Sequence, residues 1–357
     1  MLNIKIEPTQ NKKTKPAPKD MLFGVNFTDH MFVMEYHPDN GWHNARITPY
    51  GDIALSPAAM VLHYGQELFE GLKAYRTESG DIQLFRPTKN VERMNWTCDR
   101  LCIPQIDPEV ALQAIKAIVD YDKDWVPSEK DYSLYIRPFI IATDPFIGVR
   151  PSHTYLFLII LSPVGAYYPE GINPVKIYVE NEYVRAVRGG LGFVKAGANY
   201  AASIKAQQKA QAAGYTQVLW LDGVERKYVD EVGTMNVFFV IDNKVITPAL
   251  DGSILPGVTR DSCIHLLKDW GYTVEERKLA LAEIMEASKA GKLNEAFGTG
   301  TAAVISPIGT LNNEGDVITI NNSEIGPIAS KLYDTITGLQ YGRLDDKFNW
   351  ICGVEQN

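Results

Sequence analysis

Between Ser162 and Asn173 the chain carries Pro163, Gly165, Pro169 and Gly171, a density of turn formers that neither a helix interior nor a central strand accommodates. The apolar run Tyr155-Leu-Phe-Leu-Ile-Ile-Leu161 precedes this break, and the alternating Val175-Lys-Ile-Tyr-Val179 follows it. Each flank is long enough to bury a core of its own, and 357 residues at 45% hydrophobic content suit two domains better than one. The expected organisation is a flexible arm over 1–20, a small domain over 21–161, a linker over 162–173 and a larger domain over 174–357. The linker holds the adjacent pair Tyr167 and Tyr168, which could close over a bound substrate.

Local patterns fill in both halves. Met31–Tyr36 reads as a strand and Pro57–Glu67 as a helix; strands at Gly71–Arg76 and Ile82–Arg86 flank the turn Glu78-Ser-Gly-Asp81. Pro87 stops the second strand, and Thr88 is the expected cap of a helix bearing Val91, Met94, Cys98 and Leu101. Asp107-Pro108 opens the next helix. Ser133–Ala142 and His153–Leu161 read as central strands, with Pro138 marking an edge or a bulge. In the second half, Ala198–Ala213 is a helix that Gly214 stops, with strands at Val218–Leu221, Asn236–Ile241 and Lys244–Thr247. Helices follow at Thr259–Trp270, Leu281–Ala290 and from Gly326-Pro327 onward. Strand pairs on short turns, with helices between them, indicate α+β rather than a regular βαβ alternation.

Composition narrows the function classes. The net charge of -8 and the absence of a basic block beyond the first twenty residues argue against nucleic acid and anionic membrane as partners. The longest apolar run is far short of the roughly 20 residues of a membrane span. Cys98, Cys102, Cys263 and Cys352 are too few and too irregular for a disulfide scaffold, with Cys98 and Cys102 expected as two buried thiols on one helix. The six histidines form no metal-ligand cluster, so no metal is expected. Residues 1–20 lack the apolar core of a secretory signal, have no arginine and carry Glu7 and Asp20, which points to a cytoplasmic protein.

The chemistry concentrates in Arg185-Ala-Val-Arg-Gly-Gly-Leu-Gly-Phe-Val-Lys195-Ala-Gly-Ala-Asn-Tyr200. One lysine stands among small and apolar residues, the surroundings that disfavour an ammonium and free an amine for attack on a carbonyl. Lys205 and Lys209 compete for that role but lie in the polar pattern of the next helix. Downstream come Val229-Asp-Glu231-Val-Gly-Thr234-Met-Asn236, then Leu255-Pro-Gly-Val-Thr259-Arg260 opening a helix, and Phe297-Gly-Thr-Gly-Thr301-Ala-Ala303. The last of these also fits G-x-G-x-x-A, but Val304-Ile-Ser-Pro307 follows where a dinucleotide fingerprint needs a helix. Gly257-Val258-Thr259 presents free amides at a helix start, a ready anion site.

Together these motifs resemble the branched-chain amino acid aminotransferases, pyridoxal 5'-phosphate enzymes of fold type IV, from Phe27-Thr-Asp-His30 to about residue 345. The resemblance implies two α/β domains with the cofactor between them, and a cytoplasmic homodimer of branched-chain amino acid biosynthesis that passes the amino group of L-leucine, L-isoleucine or L-valine to 2-oxoglutarate. Lys195 would carry the cofactor as a Schiff base and move the substrate proton; Glu231 would face the pyridine nitrogen, and Tyr200 would bond its O3'. Asp230, one residue earlier on a strand, would point the other way. Arg86, Gly257, Val258, Thr259 and Thr301 would hold the phosphate. Phe23, Tyr64, Phe69, Tyr135 and Arg137 would line the substrate side, with Thr234, Ala302 and Ala303 completing it. The mammalian members carry a redox cysteine pair just after the last loop; Ala303 and Ser306 stand there in this chain, which excludes thiol regulation by that route. The same fold also serves D-amino acid aminotransferases and aminodeoxychorismate lyases, and a non-catalytic binder of phosphate-bearing ligands is the rival of a different class.

Overall fold

The structure is a computed structural model and describes residues 2–165 and 172–354. Tyr167 and Tyr168 lie outside the described residues. The chain forms two compact units. The described part of the first comprises residues 2–165, Lys195–Gly197 and 338–354, and that of the second residues 172–194 and 198–337.

In the first unit the elements run β1 (Lys5–Ile6), β2 (His30–His37), β3 (Gly41–Pro49), α1 (Met60–Tyr64), β4 (Glu67–Phe69), β5 (Leu72–Arg76), β6 (Ile82–Phe85), α2 (Pro87–Arg100), α3 (Pro108–Tyr121), β7 (Ser133–Ala142) and β8 (Tyr155–Val164). Chain order then continues with β9 (Val175–Glu180), α4 (Gly197–Ala212), β10 (Gln217–Leu221), β11 (Val229–Val232), β12 (Asn236–Ile241), β13 (Lys244–Thr247), α5 (Val258–Asp269), β14 (Val274–Glu276), α6 (Leu281–Lys289), β15 (Leu293–Gly300), β16 (Val304–Asn313), β17 (Asp316–Thr319), α7 (Pro327–Gln340) and β18 (Ile351–Gly353). The strands of the first unit order as β1-β3-β2-β8-β7-β5-β6-β18, with β4 also on β7; those of the second order as β11-β10-β9-β16-β15-β12-β13-β14, with β17 on β16. Both sheets are mixed, and the architecture is the expected α+β.

Alternation along β7 divides the first sheet into two faces. Leu134, Ile136, Ile140 and Ala142 enter a core with Val91, Met94 and Cys98 of α2 and Ile115, Ile118 and Val119 of α3. The opposite face carries Tyr135, Arg137, Phe139 and Ile141. Pro138 is fully paired with β8, opposite Ile159, and breaks nothing. On its other side β4 ends at Phe139 and β5 begins at Ile136, so the missing proline N–H falls in the gap between two strands, where the Pro138 carbonyl accepts from Glu70 N–H.

Several local expectations change. The helix expected over Pro57–Glu67 shrinks to α1, because Gly65 turns left-handed (φ 57) and Glu67–Phe69 joins the sheet. Arg86, not Thr88, occupies the α2 cap, with φ 49 and Pro87 supplying a first helical residue already at the right φ. Cys98 is buried, and burial pushes its thiol up to about 12, whereas Cys102 lies beyond the helix end and is exposed. Strand β8 runs through Val164, past the start expected for the linker. The arm expected to be loose is tied down: β1 pairs with β3, His30 Nε2 accepts from Thr9 N–H, and Asp29 accepts from Lys13 N–H.

Candidate active site

Lys195–Gly197 belongs to the first unit. Its backbone is hydrogen-bonded there: Lys195 N–H donates to Thr97 Oγ1 (3.2 Å), and the Lys195 carbonyl accepts from Phe69 N–H (3.1 Å). The Lys195 ammonium nitrogen lies 4.6 Å from the centre of the Phe69 ring. Gly197 N–H donates to Glu67, and a Cβ at Gly197 would collide with that carboxylate. A side chain at Gly197 would therefore displace the Glu67 carboxylate from this hydrogen bond.

Asn90, Arg93 and Thr97, at spacings of three and four, form a buried polar stripe on α2. Arg93 grips Glu70 with a two-pronged contact, Nε to Oε1 at 2.8 Å and Nη2 to Oε2 at 2.9 Å, and Asn90 Nδ2 donates to the same carboxylate at 2.9 Å. Burial works to raise the Glu70 carboxyl, but Arg93, with Lys195 and Asn90 adding, outweighs it and holds the group below the usual carboxylate range. Glu70 thus links the arginine electrostatically to Lys195. Sequence reasoning missed both Glu70 and Arg93; a charged residue on the buried side of the α2 pattern was the available signal.

Arg86 is itself buried, with its guanidinium 4.6 Å from the centre of the Trp350 ring. On the open face of the first sheet the structure brings together four of the substrate-side residues. Phe23 meets Tyr135 edge-on at 4.8 Å, Arg137 Nη2 donates to the Tyr135 hydroxyl at 3.0 Å, and the Arg137 guanidinium lies 4.6 Å from the Phe69 ring. Arg137 Nε is buried without a partner among the described residues. Tyr64 stands apart on α1, 40% exposed, with its ring against His63.

In the second unit a small pocket of about 20 Å³ is lined by Arg185, Asn199, Tyr200, Glu231, Thr234 and Leu255. Glu231 Oε1 accepts from Leu255 N–H (3.0 Å) and Asn236 Nδ2 (3.3 Å), and Oε2 lies at ion-pair distance, 3.1 Å, from Arg185 Nε, which is not aligned for a hydrogen bond. Gly233 and Thr234 make the tight turn between β11 and β12, with Gly233 at φ 57. Asn236 also donates to the Leu255 carbonyl, and its Oδ1 approaches Gly257 so closely that a Cβ there would collide. One asparagine therefore ties Glu231 to the segment that opens α5.

That opening suits an anion. Helix α5 begins at Val258 with Gly257 as its cap and, among the described residues, no side-chain cap hydrogen bond, so Gly257, Val258 and Thr259 sit at the positive dipole end. Thr299 Oγ1, on β15, is buried without a partner among the described residues. Thr301, Ala302 and Ala303 form the turn into β16, which is a strand, so the dinucleotide reading fails as expected. A helix start and an orphaned hydroxyl fit a phosphate, and a buried carboxylate fixed by three groups fits a protonated ring nitrogen. Among the described residues, no group of three or more His, Cys, Asp or Glu is arranged to hold a metal, and no helix is long and apolar enough to cross a membrane.

The sequence model of the family Amino-transferase class IV matches residues 67–311. Branched-chain-amino-acid aminotransferase 2 of Bacillus subtilis (strain 168) is 60% identical over 351 residues, covering 98% of this chain and 97% of its own. The chain belongs to the class IV branched-chain amino acid aminotransferases. A probable branched-chain-amino-acid aminotransferase of Staphylococcus epidermidis is 55% identical over 352 residues, covering 98% of each chain. The crystal structure of the Escherichia coli branched-chain enzyme superposes with a TM-score of 0.77 at 26% identity, covering 92% of this chain and 99% of its own. The branched-chain amino acid aminotransferase of Thermobaculum terrenum, in its PLP-bound holo form, does so at 0.74 and 25%, covering 91% and 98%. The branched-chain aminotransferase family shares the type IV fold, and its cofactor is pyridoxal 5'-phosphate.

Proposed function

We propose that this transaminase passes the amino group of L-leucine, L-isoleucine or L-valine to 2-oxoglutarate, reversibly, with Lys195 as the covalent attachment point and proton carrier. The observation that carries this reading is the setting of Lys195: the backbone is pinned on both sides, the amine lies over Phe69, and the buried Glu70–Arg93 pair is its electrostatic neighbour. When bound, pyridoxal phosphate supplies the electron sink that stabilises the substrate carbanion. Everything else falls to the chain. Glu231, held by Leu255, Asn236 and Arg185, keeps negative charge against the ring nitrogen. Tyr200 lines the same pocket and serves O3'.

The amides of Gly257, Val258 and Thr259, with Thr301, take the phosphate. Its arginine is Arg93 in place of Arg86, since Arg93 shares the Glu70 cluster with Lys195 while the Arg86 guanidinium is stacked on Trp350. Phe23, Phe69 and Tyr135 offer apolar surface to a branched side chain, and Arg137, with an unused buried Nε, suits a carboxylate. Thr234, Ala302 and Ala303 remain the assigned complement on the second unit. A second copy of the chain would cover the exposed apolar residues Leu62, Tyr64, Phe146, Ile147 and Val149, which supports a homodimer. The acidic balance agrees with a cytoplasmic enzyme of amino-acid biosynthesis.

Assays of L-leucine, D-alanine and aminodeoxychorismate, each with 2-oxoglutarate where an acceptor is needed, test the reading. Turnover of L-leucine with glutamate formation is expected. Turnover of D-alanine or aminodeoxychorismate alone would overturn it.

A further inference from the structure

Consecutive acids on a regular strand point to opposite faces, but β11 is not regular. Leu221 pairs with Val229 and Leu219 with Val232, so Asp230 and Glu231 together oppose the single residue Trp220. Such a bulge puts two residues where one belongs and re-aims their side chains. Both carboxylates are buried, at 5% and 3% exposure; they line different pockets, as expected of neighbours on a strand, yet one cation acts on both.

That cation is Arg185. Its Nε lies 3.1 Å from Glu231, and its Nη2 donates to the carbonyl of Ser253, whose hydroxyl shares its one proton between Asp230 Oδ2 at 3.2 Å and Asp251 Oδ1 at 3.0 Å. We propose that Asp230 is a positioning residue of the transamination site, which through Ser253 and Arg185 sets how much negative charge Glu231 presents to the cofactor ring. The proposal rests on the reading that Glu231 faces the ring nitrogen.

The charge balance follows from the counts. With both acids ionised, two negative charges share one guanidinium; with Asp230 protonated, Glu231 and Arg185 cancel. Burial pushes the Asp230 carboxyl up to about 7, against the pull of Arg185 and the Ser253 hydroxyl, with Glu231 and Asp251 pushing the same way as burial. The exchange between the two states therefore falls in the neutral range. Asp230 also lines a cavity of about 200 Å³, faced by Asp222, Glu225 and Tyr228 from the β10–β11 connection, by Arg188 from the segment after β9, by Asp251 from the segment after β13, and by Lys278. Asp251 is paired with Arg188 at 2.8 Å, and its carboxyl is held below the usual range despite burial, by Arg188 and Ser253. Burial thus places the Asp230 carboxyl in the neutral range, while Arg188 and Ser253 keep that of Asp251 low.

The test is the absorbance of bound pyridoxal phosphate across the neutral range, with the cofactor dissociation constant measured in parallel, in the wild-type holoenzyme, Asp230→Asn, Ser253→Ala and Glu231→Gln. Below about pH 7 wild type and Asp230→Asn should coincide. Above it, loss of the added negative charge should move the midpoint of the cofactor band down by about one pH unit and loosen the cofactor several-fold. Ser253→Ala, which removes a donor to the carboxylate, should delay the wild-type divergence to higher pH, and it carries the test if Asp230→Asn does not fold. Identical titrations of wild type and Asp230→Asn, or of wild type and Ser253→Ala, would overturn the proposal, whatever happens to melting temperature. Glu231→Gln should alter the band at every pH; a silent Glu231→Gln removes the reading beneath, whereas a silent Asp230→Asn beside an altered Glu231→Gln removes this inference alone.

Discussion

Gly71 offers a sharp test of the substrate side because its missing side chain is filled by Tyr135. A Cβ at residue 71 would collide with the Tyr135 hydroxyl and lie 3.0 Å from Cζ and 3.6 Å from Cε2. Tyr135 has little room to yield: it is 8% exposed, meets Phe23 edge-on and accepts from Arg137. Gly71→Ala should therefore destabilise by about 1–3 kcal/mol, the usual cost of overpacking a filled site. Tyr135→Phe removes the atom nearest the new methyl, at the cost of the Arg137 hydrogen bond. The alanine should then cost less in the phenylalanine background, with a coupling of about 1 kcal/mol. Urea unfolding of both single variants and the double variant measures it, and L-leucine kinetics should show KM rising more than kcat falls as the ring shifts. Additivity of the two changes to within about 0.3 kcal/mol would refute the packing argument.

Arg93→Met should cost about 3–5 kcal/mol, because it leaves the Glu70 carboxylate buried without its cation, and Glu70→Gln in the same chain should recover part of the loss in thermal unfolding. Asp107→Ala removes the cap that accepts from Glu109 N–H at 2.8 Å and should cost about 1 kcal/mol, read from the urea midpoint. Burial pushes the Asp230 carboxyl up to about 7 from an ordinary value of 3.8, so the native state should hold the extra proton between those limits. Its contribution to stability should fall as pH rises through that window, by up to about 4 kcal/mol, and stay level above it. Asp230→Asn should flatten that part of the stability–pH curve; an unchanged slope would contradict the burial of the acid.

Strands β2, β5, β6, β7 and β8 and most helices were legible from apolar runs and turn signals, and α3 carries both an Asp–Pro start and a buried stripe, whereas β1, β3 and β18 went unread. What escaped was set by tertiary partners. Glu67–Phe69 has three residues, too few for alternation, and becomes a strand only by pairing with β7. Strands β15 and β16 contain Gly298, Gly300 and Pro307, which read as loop, yet Phe297 pairs with Pro307 across their ladder. Lys195, Glu231 and Tyr200 stood out because reactive residue types were spaced along recognisable motifs. Arg93 did not, since a helix pattern marks a charged position as solvated unless something buried waits for it, and Glu70 is that group. The β11 bulge was equally hidden, because a one-residue excess on a strand appears only against its partner.

Borohydride reduction of the enzyme loaded with pyridoxal phosphate, followed by proteolysis and peptide mapping, tests the central assignment most directly. The cofactor should be found fixed to the Lys195 side chain, and Lys195→Ala should retain none. A label on Lys205 or Lys209, or an unlabelled protein, would contradict the account.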